Sequence, residues 1–242
     1  MNTQTWSIVI FCFNEEKTIL PVYHSVLNIL KNNVKAAFEI VIVDDGSTDY
    51  SVDEIHKLQR QFPNHTKVIL HPKNLGIGMA LRSGYMNSQF ENICSVPADG
   101  QFDVNELVPH LVFDNHTFVS FYRKENLQYT SFRNVLSYVN KKINFFFMGI
   151  QMRDVNWVKL FKNAEIKSFE WKLTSSLIES ELCSKLITKG NKVIEVVSVY
   201  HARQAGVSKG ASLKIVLQAL KETLKLIFII FFFKRSLRKR FF

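Results

Sequence analysis

Cysteine is scarce in this chain of 242 residues: Cys12, Cys94 and Cys183 lie far apart, each in a largely apolar stretch. None forms the close pairs that zinc sites and redox motifs need, so the three read as reduced, structural thiols of a cytosolic compartment. The N-terminus has no basic leader, and its short apolar run, Trp6 to Phe13, ends directly in Asn14, Glu15 and Glu16. That pattern describes a first strand rather than a signal peptide. Long apolar runs are missing too. Leu226–Phe233 gives eight uninterrupted apolar residues, well short of the roughly 20 that span a bilayer. Acidic residues are almost absent from the last segment: residues 207–242 hold nine Lys/Arg against one Asp/Glu, whereas residues 1–206 hold 22 against 20. The body is therefore nearly neutral, and the net charge of +10 is concentrated in the tail. It excludes a nucleic-acid-binding face spread over the fold and points to a terminal segment that meets an anionic surface.

What is present is a folded chain of ordinary composition, 47% hydrophobic and 21% charged, long enough for one substantial core and an appendage. Short β-branched or aromatic runs at 6–13, 38–43, 68–70 and 93–96 end in polar residues, as buried parallel strands do. Helical periodicity fills the gaps: residues 18–30, a stretch from Asp49 to near Phe62, and 76–88. This alternation predicts an open α/β sheet, with ligands collecting at the carboxyl ends of the strands. Beyond it the spacing predicts a helix at 104–112, a strand near 117–121, a longer helical region at 130–148 and a strand at 192–200.

Four polar segments fall where ligands are expected: Phe13–Glu16 (FNEE), Val43–Asp49 (VDDGSTD), Asn74–Gly84 (NLGIGMALRSG) and Pro97–Asp103 (PADGQFD). Each has a plain structural reading, since Asp, Gly, Ser and Thr also build turns and helix caps. Gly76 and Gly78 do not make a dinucleotide fingerprint, because the third glycine, Gly84, is too distant and the segment does not follow the first strand.

Taken in order, and with Asp154–Phe161 (DVNWVKLF) and Tyr200–Lys209 (YHARQAGVSK), these segments resemble family-2 glycosyltransferases of GT-A fold. The resemblance is to the branch of polyprenyl-phosphate (dolichyl-phosphate) mannosyl and glucosyl synthases. It implies a single α/β Rossmann-like GT-A domain over residues 1–210, with a mostly parallel sheet, and a membrane-associating tail over 211–242. It implies transfer of a sugar from a nucleotide diphosphate sugar to a polyprenyl phosphate at the cytoplasmic face of a membrane.

By that resemblance Phe13, Glu15, Val43, Asp45, Ala98 and Ser208 surround the donor nucleotide, although Asp44 or Asp45 could instead cap the turn that follows. Asp99 and Gln101 are the implied ligands of Mg2+ or Mn2+, both hard-oxygen donors spaced two apart so that an extended segment aims them the same way. The branch carries an acid where Pro97 stands, and a proline where Phe11 stands. Arg123 and Arg133 are implied contacts of the acceptor phosphate, suited by the guanidinium's fixed fork of donors. Arg203, Ser208 and Lys209 belong to a segment closing over the donor diphosphate, where Arg203 or Lys209 would stabilise the leaving group. Asp154 divides evenly between a structural part and that of a base for a hydroxyl acceptor. In the tail, Leu213, Val216, Leu217, Leu220 and Leu224 alternate with Lys214, Gln218, Lys221 and Lys225, the pattern of an amphipathic helix lying in a membrane interface, or of one that joins copies of the chain.

Overall fold

The computed structural model describes residues 3–123, 145, 149–201 and 213–238. The strands are β1 (Trp6–Cys12), β2 (Phe38–Asp44), β3 (Thr66–Leu70), β4 (Asn92–Pro97), β5 (Thr117–Arg123), β6 (Lys159–Lys162) and β7 (Lys192–Ser198). The helices are α1 (Ile19–Asn33), α2 (Ser51–Gln61), α3 (Ile77–Asn87), α4 (Asn163–Lys167), α5 (Ile178–Thr188) and α6 (Leu213–Arg238). The seven strands form one sheet in the order β3-β2-β1-β4-β6-β5-β7. All pairings are parallel except those of β6, which runs antiparallel to both β4 and β5.

Both faces of the sheet are covered, which is why β1 and β2 read as continuous apolar runs. Side chains of a strand alternate between faces. Ile8, Ile10, Ile40 and Ile42 accordingly enter one core with α1 and α2 residues such as Tyr23, Leu27, Ile55 and Leu58. Val9, Val41 and Val43 enter a second core with Leu81 and Tyr85 of α3, Leu182 and Leu186 of α5, and Leu226 and Ile230 of α6. The apolar stretch of the tail is thus partly a piece of the domain core.

The structure corrects two expectations. The helix at 104–112 is a 3-10 helix over Val104–His110, opened by Asp103, whose side chain accepts from Asn105 N–H, and containing Pro109. A proline inside an α-helix loses a hydrogen bond and clashes with the preceding turn, so the tighter, shorter element is the one formed. The strand β6 and the helix α5 answer to no periodicity in the sequence. Their interior faces carry Lys159, Glu179, Ser180, Glu181, Ser184 and Lys185, all buried, so polar residues occupy the inward positions. The helical region at 130–148 lies outside the described residues apart from Phe145.

Candidate active site

The loops after β1 and β2 are stitched together by backbone-to-side-chain bonds. Asn14 N–H donates to Ser47 Oγ (2.9 Å), and Thr48 N–H donates to Asn14 Oδ1 (2.8 Å). Glu15 N–H donates to Ser51 Oγ (2.8 Å), and Tyr50 N–H donates to Glu16 Oε2 (3.0 Å). Asp49 accepts from Glu16 and Ser51 N–H. Burial would raise its pKa, but the bonds from the Ser51 hydroxyl and the backbone amides override that and lower it. Asn14 takes a positive φ of 56°, a conformation asparagine tolerates better than most residues.

The paired acids of VDDGSTD divide the work. Asp44 caps its own turn, accepting from Ser47 N–H (2.9 Å) and the Ser47 hydroxyl. Asp45 reaches across to the segment before α3, accepting from Leu75 N–H (2.9 Å) and Gly76 N–H (2.8 Å). Directly after them Gly46 at φ 72° lets the chain turn; a Cβ there would lie 2.3 Å from the backbone carbon of Lys73, a contact that only glycine permits.

A cavity of about 210 Å3 opens at the carboxyl ends of β1 and β4, lined by Phe11, Ser95, Pro97, Asp99, Gln101, Arg123, Trp157 and Glu179 among others. It brings together three residues singled out in the sequence: Asp99, Gln101 and Arg123. Asp99 Oδ1 accepts from Gln101 N–H (3.1 Å), and the Gln101 side-chain amide donates to the Tyr200 hydroxyl. Arg123 donates from Nε to Asp154 Oδ2 at 2.7 Å, and its guanidinium lies 4.6 Å from the Trp157 ring centre and 5.8 Å from that of Tyr200. Asp154 is therefore the partner of Arg123. Phe13, Glu15, Val43, Asp45 and Ala98 do not line this cavity. They lie in or beside the β1 and β2 loops and at the end of β4, with Val43 and Ala98 fully packed. Arg133, Arg203, Ser208 and Lys209 lie outside the described residues.

The floor of the cavity is a buried polar network that sequence reasoning missed. Lys159, fully buried, donates from Nζ to Val155 O (2.6 Å), Trp157 O (2.8 Å) and Glu179 Oε2 (2.7 Å). The Tyr85 hydroxyl stands 2.9 Å from Glu179 Oε1 and 2.7 Å from Ser95 Oγ. Burial, then the Glu179 carboxylate, pushes the Tyr85 phenol well above its ordinary value. For Lys159 burial alone would lower the pKa, yet the Glu179 carboxylate raises it, so the lysine stays charged. The signal for this pair was present in the sequence only as two charged residues within otherwise apolar surroundings. Nothing local distinguishes them from solvated ones.

Among the described residues no group of three or more His, Cys, Asp or Glu side chains converges as a metal cage. Asp99 and Gln101 present oxygens of the hard type that Mg2+ and Mn2+ accept, but from a turn through Gly100 at φ 72° rather than from the extended segment expected.

Comparison with known proteins agrees with this architecture. A mannosyltransferase from Pyrobaculum calidifontis, solved in complex with GDP-Man and Mn2+, superposes with a TM-score of 0.61 at 16% identity, covering 85% of this chain and 59% of that one. Human dolichyl-phosphate beta-glucosyltransferase is 33% identical over 103 residues, 40% of this chain and 32% of that protein. An undecaprenyl-phosphate 4-deoxy-4-formamido-L-arabinose transferase from Photorhabdus laumondii is 25% identical over 217 residues, 87% of this chain and 64% of that protein. The matched stretch spans about a third of the length of the dolichyl-phosphate relatives. The fold is GT-A, and because residues 7–161 match the model of glycosyl transferase family 2, the chain belongs to that family.

Proposed function

We propose that the chain transfers a sugar from a nucleotide diphosphate sugar to a polyprenyl phosphate, with inversion, at the cytoplasmic face of a membrane. The observation that carries this reading is the convergence of Asp99, Gln101 and Arg123 on one cavity. Among the described residues that line it, Arg123 is the one cation, held by Asp154 and two aromatic rings. A planar guanidinium fixed in this way is suited to orienting an acceptor phosphate. Such a phosphate is already ionised near neutral pH, so the main task is positioning rather than proton removal. The engagement of Asp154 with Arg123 favours this acceptor over a hydroxyl that would need Asp154 as base. Transfer to a hydroxyl of a surface polysaccharide or lipid-linked glycan is the competing activity.

Asp99 and Gln101 would hold Mg2+ or Mn2+, the bound diphosphate and water completing the shell. Gln101, its amide nitrogen already spent on Tyr200, keeps its carbonyl oxygen for this part. When bound, the ion would neutralise charge on the departing nucleoside diphosphate. Glu15 and Asp45 are assigned to the nucleoside, and Arg203, Ser208 and Lys209 to the diphosphate.

The membrane part rests on α6. Its inward stripe, Leu226 and Ile230, is buried, while Leu224, Phe228, Phe231 and Phe232 are exposed at helical spacing on the opposite face. Exposed Lys225 and Arg235 flank that stripe, and the basic residues Arg238, Lys239 and Arg240 follow. An aromatic stripe with basic flanks suits the interface of an anionic leaflet. No helix among the described residues is long and apolar enough to cross a membrane.

Membranes from cells expressing the chain, incubated with labelled nucleotide sugars, should yield organic-soluble labelled product. Asp99→Ala should abolish it. Label confined to aqueous glycan would refute the acceptor, and donor binding without any turnover would mark a non-catalytic adaptor. Vesicle flotation with Phe228, Phe231 and Phe232 changed to Ser tests α6: unchanged binding refutes the interfacial face, and loss of a dimer instead marks a contact between copies.

A further inference from the structure

Asp45 is held by a third donor besides Leu75 and Gly76. Parallel pairing sets Asp44 opposite Leu70, and His71 N–H continues the ladder by donating to Asp44 O at 2.9 Å. The His71 ring is thereby delivered beside Asp45. Nδ1 lies 2.7 Å from Asp45 Oδ1 and Nε2 lies 2.9 Å from Ser83 Oγ of α3. The side chains of His71 and Asp45 are only 8% and 5% exposed. A carboxylate can only accept, so Nδ1 carries a proton and donates to Asp45, while Nε2 is hydrogen-bonded to the Ser83 hydroxyl.

The order Asp–His–Ser matches a hydrolytic triad, but Ser83 lies within α3, where neighbouring N–H groups bond along the helix and supply no oxyanion donors. The arrangement does something else. An ionised carboxylate has about four acceptor positions. Oδ1 accepts from His71 and Leu75, and Oδ2 accepts from Gly76, which leaves a single position, on Oδ2.

We propose that His71 is a positioning residue for donor recognition. Its Nδ1–H fixes the rotation of the Asp45 carboxylate, so that one Oδ2 lone pair faces a single N–H or O–H donor of the nucleoside. Through Leu75 and Gly76 the same carboxylate sets the segment that opens α3 and brings Ile77 to the cavity wall. Ser83 completes the relay by holding the ring from α3. This inference rests on the reading that Asp45 contacts the donor nucleoside.

The test uses the full chain, with UDP and GDP, each with Mn2+, as calorimetric probes. An Asn side chain can place its amide nitrogen where Nδ1 stands, whereas a Gln side chain reaches the place of Nε2. His71→Asn should therefore keep nucleotide affinity within about twofold, and His71→Gln should lose about tenfold, the worth of one hydrogen bond to a charged group. If Asp45→Ala abolishes binding while His71→Gln matches the parent, the positioning role is refuted and the Asp45 reading survives. If Asp45→Ala leaves binding unchanged, or the parent binds neither nucleotide, the Asp45 reading fails and the proposal falls with it. Ring nitrogen-15 spectra of the parent chain supply a readout independent of any variant's folding. They should show a proton on Nδ1 of His71, and an Nδ1 without a proton would overturn the proposal.

Discussion

Replacing Lys159 with Met should destabilise the protein far more than a change of similar size elsewhere in the sheet. Lys159 is fully buried and its ammonium satisfies two backbone carbonyls and the Glu179 carboxylate at 2.6–2.8 Å. Methionine fills similar space but donates nothing. Glu179, itself 5% exposed, would be left as a buried carboxylate with only the Tyr85 hydroxyl. Breaking one side of such a pair costs about 3–5 kcal/mol, a large part of the roughly 5–15 kcal/mol that holds a domain of this kind folded. Changing Lys159 and Glu179 together to Met removes the stranded charge as well. The double variant should recover most of the loss, about 1–3 kcal/mol remaining for the unsatisfied carbonyls. Urea unfolding of the parent, both single variants and the double variant gives the coupling directly. A single-variant loss below about 1 kcal/mol, or additive losses in the double variant, would refute the assignment of an ionised, tightly coupled pair. The pH dependence supplies a second check. The folded-state pKa of Lys159 is raised above its ordinary value, so the lysine's contribution is fully present below that ordinary value and is lost as pH rises through the folded one. The difference between parent and Lys159→Met should therefore hold constant from neutral to mildly alkaline pH and shrink only in strong alkali.

Three further outcomes are expected. Burial, aided by the Asp44 charge, pushes the Cys12 thiol up to about 12, and burial pushes Cys183 up to about 12 and Cys94 higher still. At pH 8 only about one thiol in 10,000 would be thiolate at the first two sites, so a disulfide reagent should release no signal from native protein and three equivalents after denaturation. Gly78→Ala should weaken UDP or GDP binding and lower the urea midpoint, because a Cβ there would lie 2.0 Å from the Ser175 carbonyl oxygen and force α3 away from the segment beside the cavity. Asp49→Asn should lower stability at neutral pH. The Asp49 pKa is depressed, so its contribution is present above the ordinary aspartate value and fades as pH falls through the depressed one. In thermal melts parent and variant should converge in acid, and a difference that persists there would contradict the sign.

The four leading strands and the helices between them were legible from periodicity, and the polar segments do stand at strand carboxyl ends. The choice between Asp44 and Asp45 was not: both suit a turn, and only the tertiary contacts assign the turn to Asp44 and the long reach to Asp45. The 3-10 helix at Val104–His110 was readable from Pro109 but was masked by its apolar spacing.

Local chemistry, then, was determined by the sequence alone: β-branched runs make strands, Asp-Asp-Gly-Ser makes a turn that needs a positive φ at Gly46, and the basic tail carries its charge whatever the fold does. The tertiary structure decided which of these pieces meet. It slid β6 antiparallel between β4 and β5, brought Lys159 to Glu179 across 20 residues, Arg123 to Asp154 across 31 and Asp45 to His71 across 26, and turned half of the tail's apolar stretch inward. Such contacts join residues with no local pattern in common. Their energies depend on burial and on a partner from a distant segment, and both arise only when the sheet closes over its two cores.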